Sequence, residues 1–143
     1  MEFETWSEQE TEQVGQALAK EARPGDIFCL EGDLGVGKTV FTRGFARGLG
    51  VTTPYITSPT FTIIHEYEGR LPLYHFDVYR VGSLEEMDDT GYEDYFFVQG
   101  VCLVEWAKLV KELIPPTAKW ITIEKDFSRG DNYRRIRVEE GTK

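Results

Sequence analysis

The sequence predicts a three-layer α/β domain built around a mixed central sheet. Helical and strand-like segments alternate along the chain, and the apolar runs "IFCL" and "VCLV" are typical of buried parallel strands. Two further pairs of strand-like segments are joined by loops short enough for hairpins. A chain of 143 residues can enclose one hydrophobic core, so residues 1–143 are expected to form a single domain.

The first part of the chain alternates strand and helix. "EFETW" predicts a short edge strand, and "SEQETEQVGQALAKEA" predicts a helix that begins with the capping box Ser7 and Glu10. "DIFCLEG" predicts a buried strand, after which a second helix carries aromatic residues at a spacing of four. Gly44 and Gly48 lie inside this helix, where each costs about 1 kcal/mol relative to alanine. Close packing against the sheet is one explanation for them.

The second part of the chain contains the hairpins. "FTIIHEYEGRLPLYHFDVYR" predicts two strands joined around Gly69, and "SLEEMDDTGYEDYF" predicts a short helix followed by a loop. "VCLVEW" predicts a buried strand, and "AKLVKELIPP" a short helix that two prolines stop. "WITIEK" and "YRRIRV" alternate like strands, with "DFSRGDN" as their turn. Hairpins require antiparallel pairing, so the sheet is expected to be mixed.

The segment "GDLGVGKT", residues 32–39, matches the phosphate-binding pattern GxxxxGK[ST] at every required position. It follows an apolar strand and opens a helix, which is the context that this pattern needs. Glycines let successive backbone N–H groups point into one cavity, and the helix start adds partial positive charge. We expect Lys38 to reach the β- and γ-phosphates of a nucleotide and the Thr39 hydroxyl to bind Mg²⁺. The alternative is a glycine-rich turn with a chance lysine.

Two acids follow strand-like runs and are the candidates for nucleotide hydrolysis. Asp77 ends "LYHFD", and Glu105 ends "VCLVE". If these strands run parallel to "IFCL", both acids and the phosphate-binding loop converge at one edge of the sheet. A carboxylate near the metal and a group that orients water are what such a loop needs for hydrolysis. The alternative for each acid is a solvated strand end or a helix cap.

Several other residues are considered for a functional role on less specific sequence patterns. Ser58 and Thr60 in "TSPTF" lie where nucleotide-switch proteins place a segment that the γ-phosphate orders, although a plain connection is an equal alternative. Trp106 follows Glu105 and is interpreted as a packing residue, with nucleotide sensing as the other interpretation. His65 and His75 are interpreted as structural histidines within strands.

Composition limits the classes of function. The formal net charge is −9, from 16 basic and 25 acidic residues, which argues against broad direct binding to nucleic acid. "DNYRRIRV" is the single basic stretch. No apolar run approaches the ~20 residues that cross a bilayer, and "MEFETWSEQE" lacks the features of a secretion signal, so the cytoplasm is expected. Cys29 and Cys102 lie in apolar runs and are expected to be buried and reduced. An NKxD motif, which would select guanine, is missing, so adenine is the expected base.

The segments "EGDLGVGKTVFTRGFARGLG", "SPTFTIIHEY", "YHFDVYR" and "LVEW" occur in that order, and together they resemble the TsaE (YjeE) family. The resemblance implies a P-loop ATPase domain that hydrolyses ATP slowly to ADP with Mg²⁺. It also implies a role in making threonylcarbamoyladenosine in tRNA, in a complex with TsaD and TsaB. Hydrolysis would reset that complex between turnovers, and tRNA would be met only indirectly, through these partners.

The resemblance also assigns roles to residues. Lys38 would contact the terminal phosphates, Thr39 and Glu105 would bind Mg²⁺, and Asp77 would lie near the γ-phosphate and position water. Ser58 and Thr60 would belong to the switch loop. The residues themselves do not decide between the two acids, so the roles of Asp77 and Glu105 are interchangeable here. The phosphate cradle would consist of Gly35, Val36, Gly37, Lys38, Thr39 and Val40.

Two alternative functions stay open. A small-molecule kinase shares the phosphate-binding loop, but it needs an acceptor site and an arginine-bearing lid for which the chain leaves little room. A module that binds ATP without hydrolysing it shares the loop too, but the two acids argue against it. The arginines of "KDFSRGDNYRRIRV" are more numerous than expected for the last hairpin of the family, and their role is left undecided between nucleotide contact, partner docking and plain surface.

Overall fold

The computed structural model describes residues 1–33, 35–52, 64–77 and 100–141. The helix predicted at "SLEEMDDTGYEDYF" lies outside these ranges. The described part contains strands β1 (Glu2–Thr5), β2 (Ile27–Glu31), β3 (Ile64–Tyr67), β4 (Leu73–Asp77), β5 (Val101–Glu105), β6 (Lys119–Glu124) and β7 (Arg134–Glu139), α-helices α1 (Glu8–Lys20) and α2 (Lys38–Gly48), and 3-10 segments at Ala107–Leu113 and Phe127–Arg129.

The seven described strands form one sheet in the order β1-β7-β6-β2-β5-β4-β3. The central strands β6, β2, β5 and β4 are parallel to one another, whereas β1, β7 and β3 join through antiparallel pairs. The predicted mixed sheet and the edge position of the first strand are therefore confirmed. Because β2, β5 and β4 run in the same direction, their carboxyl ends lie at one edge, which is where α/β proteins bind ligands.

The sheet separates two apolar clusters and so defines three layers. Side chains alternate along β2, which places Phe28 and Leu30 toward α2 and Cys29 on the opposite face. Phe28 packs edge-on against Phe45, with ring centroids 5.0 Å apart. On the other face, Cys29 packs in the cluster that contains Ala107 of the first 3-10 segment. Burial of each large apolar side chain contributes about 1.5–3 kcal/mol, so both layers fix the position of β2.

The glycines of α2 mark a close crossing with α1. A Cβ added at Gly44 would collide with the carbonyl oxygen of Glu12, and one added at Gly48 would collide with that of Gln16. The expectation that these glycines face the sheet was therefore wrong. Both helices cover the same face of the sheet, and it is their mutual approach, backbone against backbone, that leaves no room for a side chain.

The start of α1 follows the predicted capping box. The Ser7 hydroxyl accepts a hydrogen bond from the Glu10 N–H at 3.1 Å, and the Glu10 carboxylate accepts one from the Trp6 N–H at 2.6 Å. These bonds satisfy backbone donors that a helix start leaves without partners. The helix therefore begins where the sequence places it.

The short helix predicted at "AKLVKELIPP" is present, and it is a kinked 3-10 helix that ends before the two prolines. Val110 interrupts it with φ −126°, and the segment spans only seven residues. A stretch this short gains little from cooperative α-helix formation, and the prolines after it prevent extension. Its start is held by the Glu31 carboxylate, which accepts the Lys108 N–H at 2.8 Å.

Both cysteines are buried thiols that form no disulfide with each other, as expected. Burial raises the pKa of the Cys102 thiol to about 12, and burial together with the nearby charge of Glu31 raises the pKa of the Cys29 thiol further. Across the described ranges, the helices are too short or too polar to span a membrane.

Candidate functional site

The loop between β2 and α2 is shaped by glycines. Gly35 has φ +76° and Gly37 has φ +107°, which are left-handed conformations that glycine adopts without strain. Gly37 is the N-cap of α2, and its carbonyl accepts the Phe41 N–H at 3.0 Å. The helix therefore starts at Lys38, as predicted. A helix start leaves its first N–H groups without partners inside the helix, which makes this position favourable for an anion.

A cavity of about 400 Å³ opens beside this loop. The volume lies within the roughly 300–1,000 Å³ that is typical of small-molecule sites. The end of β5, the start of α1 and the C-terminal hairpin complete its walls. Val36, in contrast, is a core residue with 3% exposure. Five of the six predicted cradle residues line the cavity, namely Gly35, Gly37, Lys38, Thr39 and Val40.

Lys38 and Trp106 meet inside this cavity. The Lys38 side chain is only 7% exposed, and its Nζ lies 3.7 Å from the centroid of the Trp106 ring. Among the described residues, Trp106 is the one non-glycine residue with positive φ, at 62°. This strained conformation turns the chain sharply after Glu105 and places the indole in the cavity wall. The interpretation of Trp106 as a plain packing residue is therefore incomplete.

The two candidate acids occupy neighbouring strand ends. Asp77 and Glu105 are direct partners in the parallel register of β4 and β5, and β5 in turn is parallel to β2. The predicted convergence of the three strand ends is therefore confirmed for the backbone. Glu105 is 3% exposed and lines the cavity. The side chain of Asp77 lies outside the described part of the chain, and the division of roles between the two acids stays a prediction.

His75 contacts Glu105, a relationship that the sequence interpretation missed. His75 Nε2 and Glu105 Oε2 lie 2.6 Å apart. Both side chains are buried, and each belongs to a different strand. The apolar surroundings of His75 in "LYHFD" suggested only a structural residue. The alternating pattern of the two strands would have placed both side chains on one face, but only if their register had been known.

Arg134 also reaches the site, and its role was left undecided from the sequence. Its Nε donates a hydrogen bond to the Val36 carbonyl at 2.5 Å, and its Nη1 donates to the carbonyls of Asp131 and Tyr133 at 2.8 and 2.7 Å. Arg134 therefore ties the last hairpin to the glycine loop, and it lines the same cavity as Lys38.

The other arginines of this strand form ion pairs at the surface. Arg135 forms an ion pair with Glu2 at 3.1 Å, and Arg137 pairs with Glu124. The basic stretch is thus divided between one residue at the cavity and neighbours that neutralise local acids. Exposed pairs of this kind contribute little to stability.

The oxygen donors at the cavity fit Mg²⁺ with a nucleotide. Thr39 is exposed at the start of α2, and Glu105 supplies a carboxylate from the facing strand. Mg²⁺ prefers oxygen ligands and usually takes one or two from the protein, with phosphates and water completing its shell. Within the described ranges, no group of three or more His, Cys, Asp and Glu side chains gathers into a site that would bind a metal alone. The switch-loop candidates Ser58 and Thr60 lie outside the described residues.

A glycine loop between a parallel strand and a helix, set in a mixed sheet, defines a P-loop NTPase-like α/β protein. Comparison with known proteins narrows this class. The chain belongs to the TsaE family, because the family model described as "Threonylcarbamoyl adenosine biosynthesis protein TsaE" matches residues 5–136. The resemblance drawn from the sequence motifs is therefore confirmed.

Individual relatives agree with the family assignment. The chain is 50% identical over 137 residues to the tRNA threonylcarbamoyladenosine biosynthesis protein TsaE of Bacillus subtilis, covering 95% of this chain and 83% of the relative. It is 43% identical over 109 residues to the TsaE protein of Treponema pallidum, covering 76% and 80%. The crystal structure of Bacillus subtilis YdiB superposes with a TM-score of 0.81 at 45% identity, covering 99% of this chain and 86% of that one.

Proposed function

We propose that this chain is the Mg²⁺-dependent subunit that binds and slowly hydrolyses ATP in tRNA threonylcarbamoyladenosine biosynthesis, and that it resets TsaD–TsaB between turnovers. One observation carries the proposal: the glycine loop, Lys38, Thr39 and Glu105 all border one cavity at the carboxyl edge of the parallel strands. Membership of the TsaE family supports the pathway. The pathway acts on tRNA, so we expect the protein in the cytoplasm.

Each residue of the cavity has a task in this proposal. The N–H groups at the start of α2 hold the phosphates, and Lys38 neutralises the terminal ones. Thr39 and Glu105 would hold Mg²⁺, which would supply positive charge beside the phosphates. Asp77 positions the attacking water, and ADP is the product. Left-handed glycine conformations and the hydrogen bond from Arg134 to the Val36 carbonyl shape the loop beside this cavity.

The acidic balance of the chain supports a partner-dependent role. A net charge of −9 disfavours direct binding to tRNA phosphates, so TsaD and TsaB would bind the tRNA. Trp106 and the start of α1 border the nucleotide cavity, so its occupancy can alter the surface that a partner meets.

The test is ATP hydrolysis by the purified chain, alone and with TsaD–TsaB, with Mg²⁺ or with EDTA. We expect weak Mg²⁺-dependent activity that the partners increase, and multiple rounds of tRNA modification only when hydrolysis is possible. Lys38→Ala is the blank for contaminating ATPases, because it removes the phosphate-binding charge while leaving α2 intact. Phosphate transfer to a metabolite would instead support the kinase alternative. Tight ATP binding without turnover in any mixture would support the binding-module alternative.

A further inference from the structure

His75 and Glu105 approach each other through the register of two parallel strands. His75 pairs with Leu103, and Glu105 pairs with Asp77, so the two side chains lie one diagonal step apart on the same face. Diagonal neighbours on a sheet are within reach of long side chains. The 2.6 Å contact between them is therefore built into the sheet and does not depend on a surface loop.

Burial makes this contact necessary for the carboxylate. His75 is 1% exposed and Glu105 is 3% exposed. A buried carboxylate is costly unless hydrogen bonds replace the water that it has lost. The imidazole supplies such a bond to Oε2. Glu105 nevertheless lines the cavity, so the same carboxylate faces both the core and the nucleotide site.

The chemistry of the pair sets the direction of the bond. An ionised carboxylate can only accept, so Nε2–H is the donor of this hydrogen bond and Oε2 is its acceptor. The other ring nitrogen, Nδ1, has no hydrogen-bond partner among the residues that the structure describes. Among the described residues, the hydrogen bond to Glu105 is therefore the contact that orients the ring.

We propose that His75 is a positioning residue for Glu105. By holding Oε2, it fixes the carboxylate in one orientation and leaves Oε1 for the Mg²⁺ that accompanies the nucleotide. This inference rests on the proposed function, because it assigns a metal-binding task to Glu105. Residues that orient a metal ligand typically change metal affinity by about 10–100-fold when they are replaced.

The test measures nucleotide affinity by calorimetry, with saturating Mg²⁺, across a Mg²⁺ titration and in EDTA. His75→Leu removes the donor at similar volume, and His75→Gln keeps an N–H donor at a comparable reach. His65→Leu is the matched control, because His65 lies opposite His75 on β3 and hydrogen-bonds Tyr67 instead. We expect His75→Leu to raise the Mg²⁺ concentration needed for half-maximal binding about tenfold or more, with affinity in EDTA unchanged. His75→Gln is expected to restore most of the loss.

The outcomes separate this inference from the proposed function. A parent protein that binds ATP with Mg²⁺, beside a His75→Leu variant with the same Mg²⁺ dependence, overturns the role of His75 alone. If His75→Leu loses nucleotide affinity equally with Mg²⁺ and in EDTA, His75 is a structural residue. If His75→Leu fails to fold, the Mg²⁺ dependence of nucleotide binding by His75→Gln decides. A Mg²⁺ dependence like that of the parent protein supports the donor role. A loss of Mg²⁺-dependent affinity as large as that of Glu105→Gln overturns it. A parent that binds no nucleotide overturns both proposals.

Discussion

The ammonium group of Lys38 lies 3.7 Å from the centroid of the Trp106 ring, inside the candidate nucleotide cavity. A cation over an indole face is attracted by the electron-rich face of the ring quadrupole and perturbs the electronic environment of the ring. Phosphates that recruit Lys38 would change this contact. Trp106 is therefore placed to report whether the cavity is occupied.

Nucleotide in the cavity should be detectable through tryptophan fluorescence. Addition of ATP or ADP should change the intrinsic fluorescence of the parent protein, and Trp106→Phe should remove that change. Trp6→Phe is the control, because Trp6 is 53% exposed and packs against Tyr133. A nucleotide-dependent signal that survives in Trp106→Phe and vanishes in Trp6→Phe would contradict the assignment.

Glu105→Ala should damage Mg²⁺-dependent hydrolysis more than it damages the fold. Loss of a metal ligand is expected to lower the rate at least about tenfold. The fold should persist, although the His75 N–H loses its acceptor. A buried donor without an acceptor lowers the free energy of unfolding by about 1–3 kcal/mol. Hydrolysis assays and circular dichroism on the same sample check both parts. Disappearance of the folded dichroism signal would make Glu105 a structural residue.

Arg134→Ala should weaken nucleotide binding through the glycine loop. The hydrogen bond from Arg134 to the Val36 carbonyl is charge-assisted, and such bonds contribute about 1.5–3 kcal/mol to stability, so its loss should loosen the glycine loop and lower nucleotide affinity. Arg137→Ala on the same strand is the control, because it removes only a surface pair with Glu124. Calorimetry and hydrogen exchange at residues 35–40 measure the effect. Equal behaviour of the two variants would show that Arg134 is another surface residue.

Gly44→Ala should destabilise the protein even though alanine favours helices. Alanine gains about 1 kcal/mol in helix propensity, but its Cβ would collide with the Glu12 carbonyl of α1, and such overpacking costs about 1–3 kcal/mol. The obstacle is backbone, which cannot rotate away. Gln13→Ala on the exposed face of α1 should be nearly neutral. Urea unfolding of both variants checks the prediction, and a stabilised Gly44→Ala protein would refute the close crossing.

Native Cys102 should resist alkylation. Burial raises the pKa of its thiol from 9.0 to about 12, so almost no thiolate exists in the folded protein at pH 8. Iodoacetamide should react quickly only after unfolding. The same shift makes the unfolding free energy fall as pH rises from about 9 toward 12, because unfolded thiols ionise first. A smaller decline in Cys102→Ala, measured by denaturation at several pH values, would agree with this cause.

Local patterns predicted much of this fold and part of its site. The capping box at Ser7, the start of α2 at Lys38 and the ends of β4 and β5 depend on neighbours in sequence, and the structure places them as expected. The partner of Gly44 depends on how two helices cross, so propensity alone assigned it to the wrong layer. The contact between His75 and Glu105 depends on strand register across 30 positions of the chain, which no local pattern encodes.

The cavity draws its walls from both ends of the chain. Glu8 and Thr11 come from α1, whereas Asn132 and Arg134 come from the last hairpin. During synthesis, the complete cavity forms only after Arg134 has emerged from the ribosome and β7 has paired with β6. A ligand that needs all of these walls stabilises the whole fold and not one loop. A newly made chain that retains ATP would thus be one in which β7 has already paired with β6.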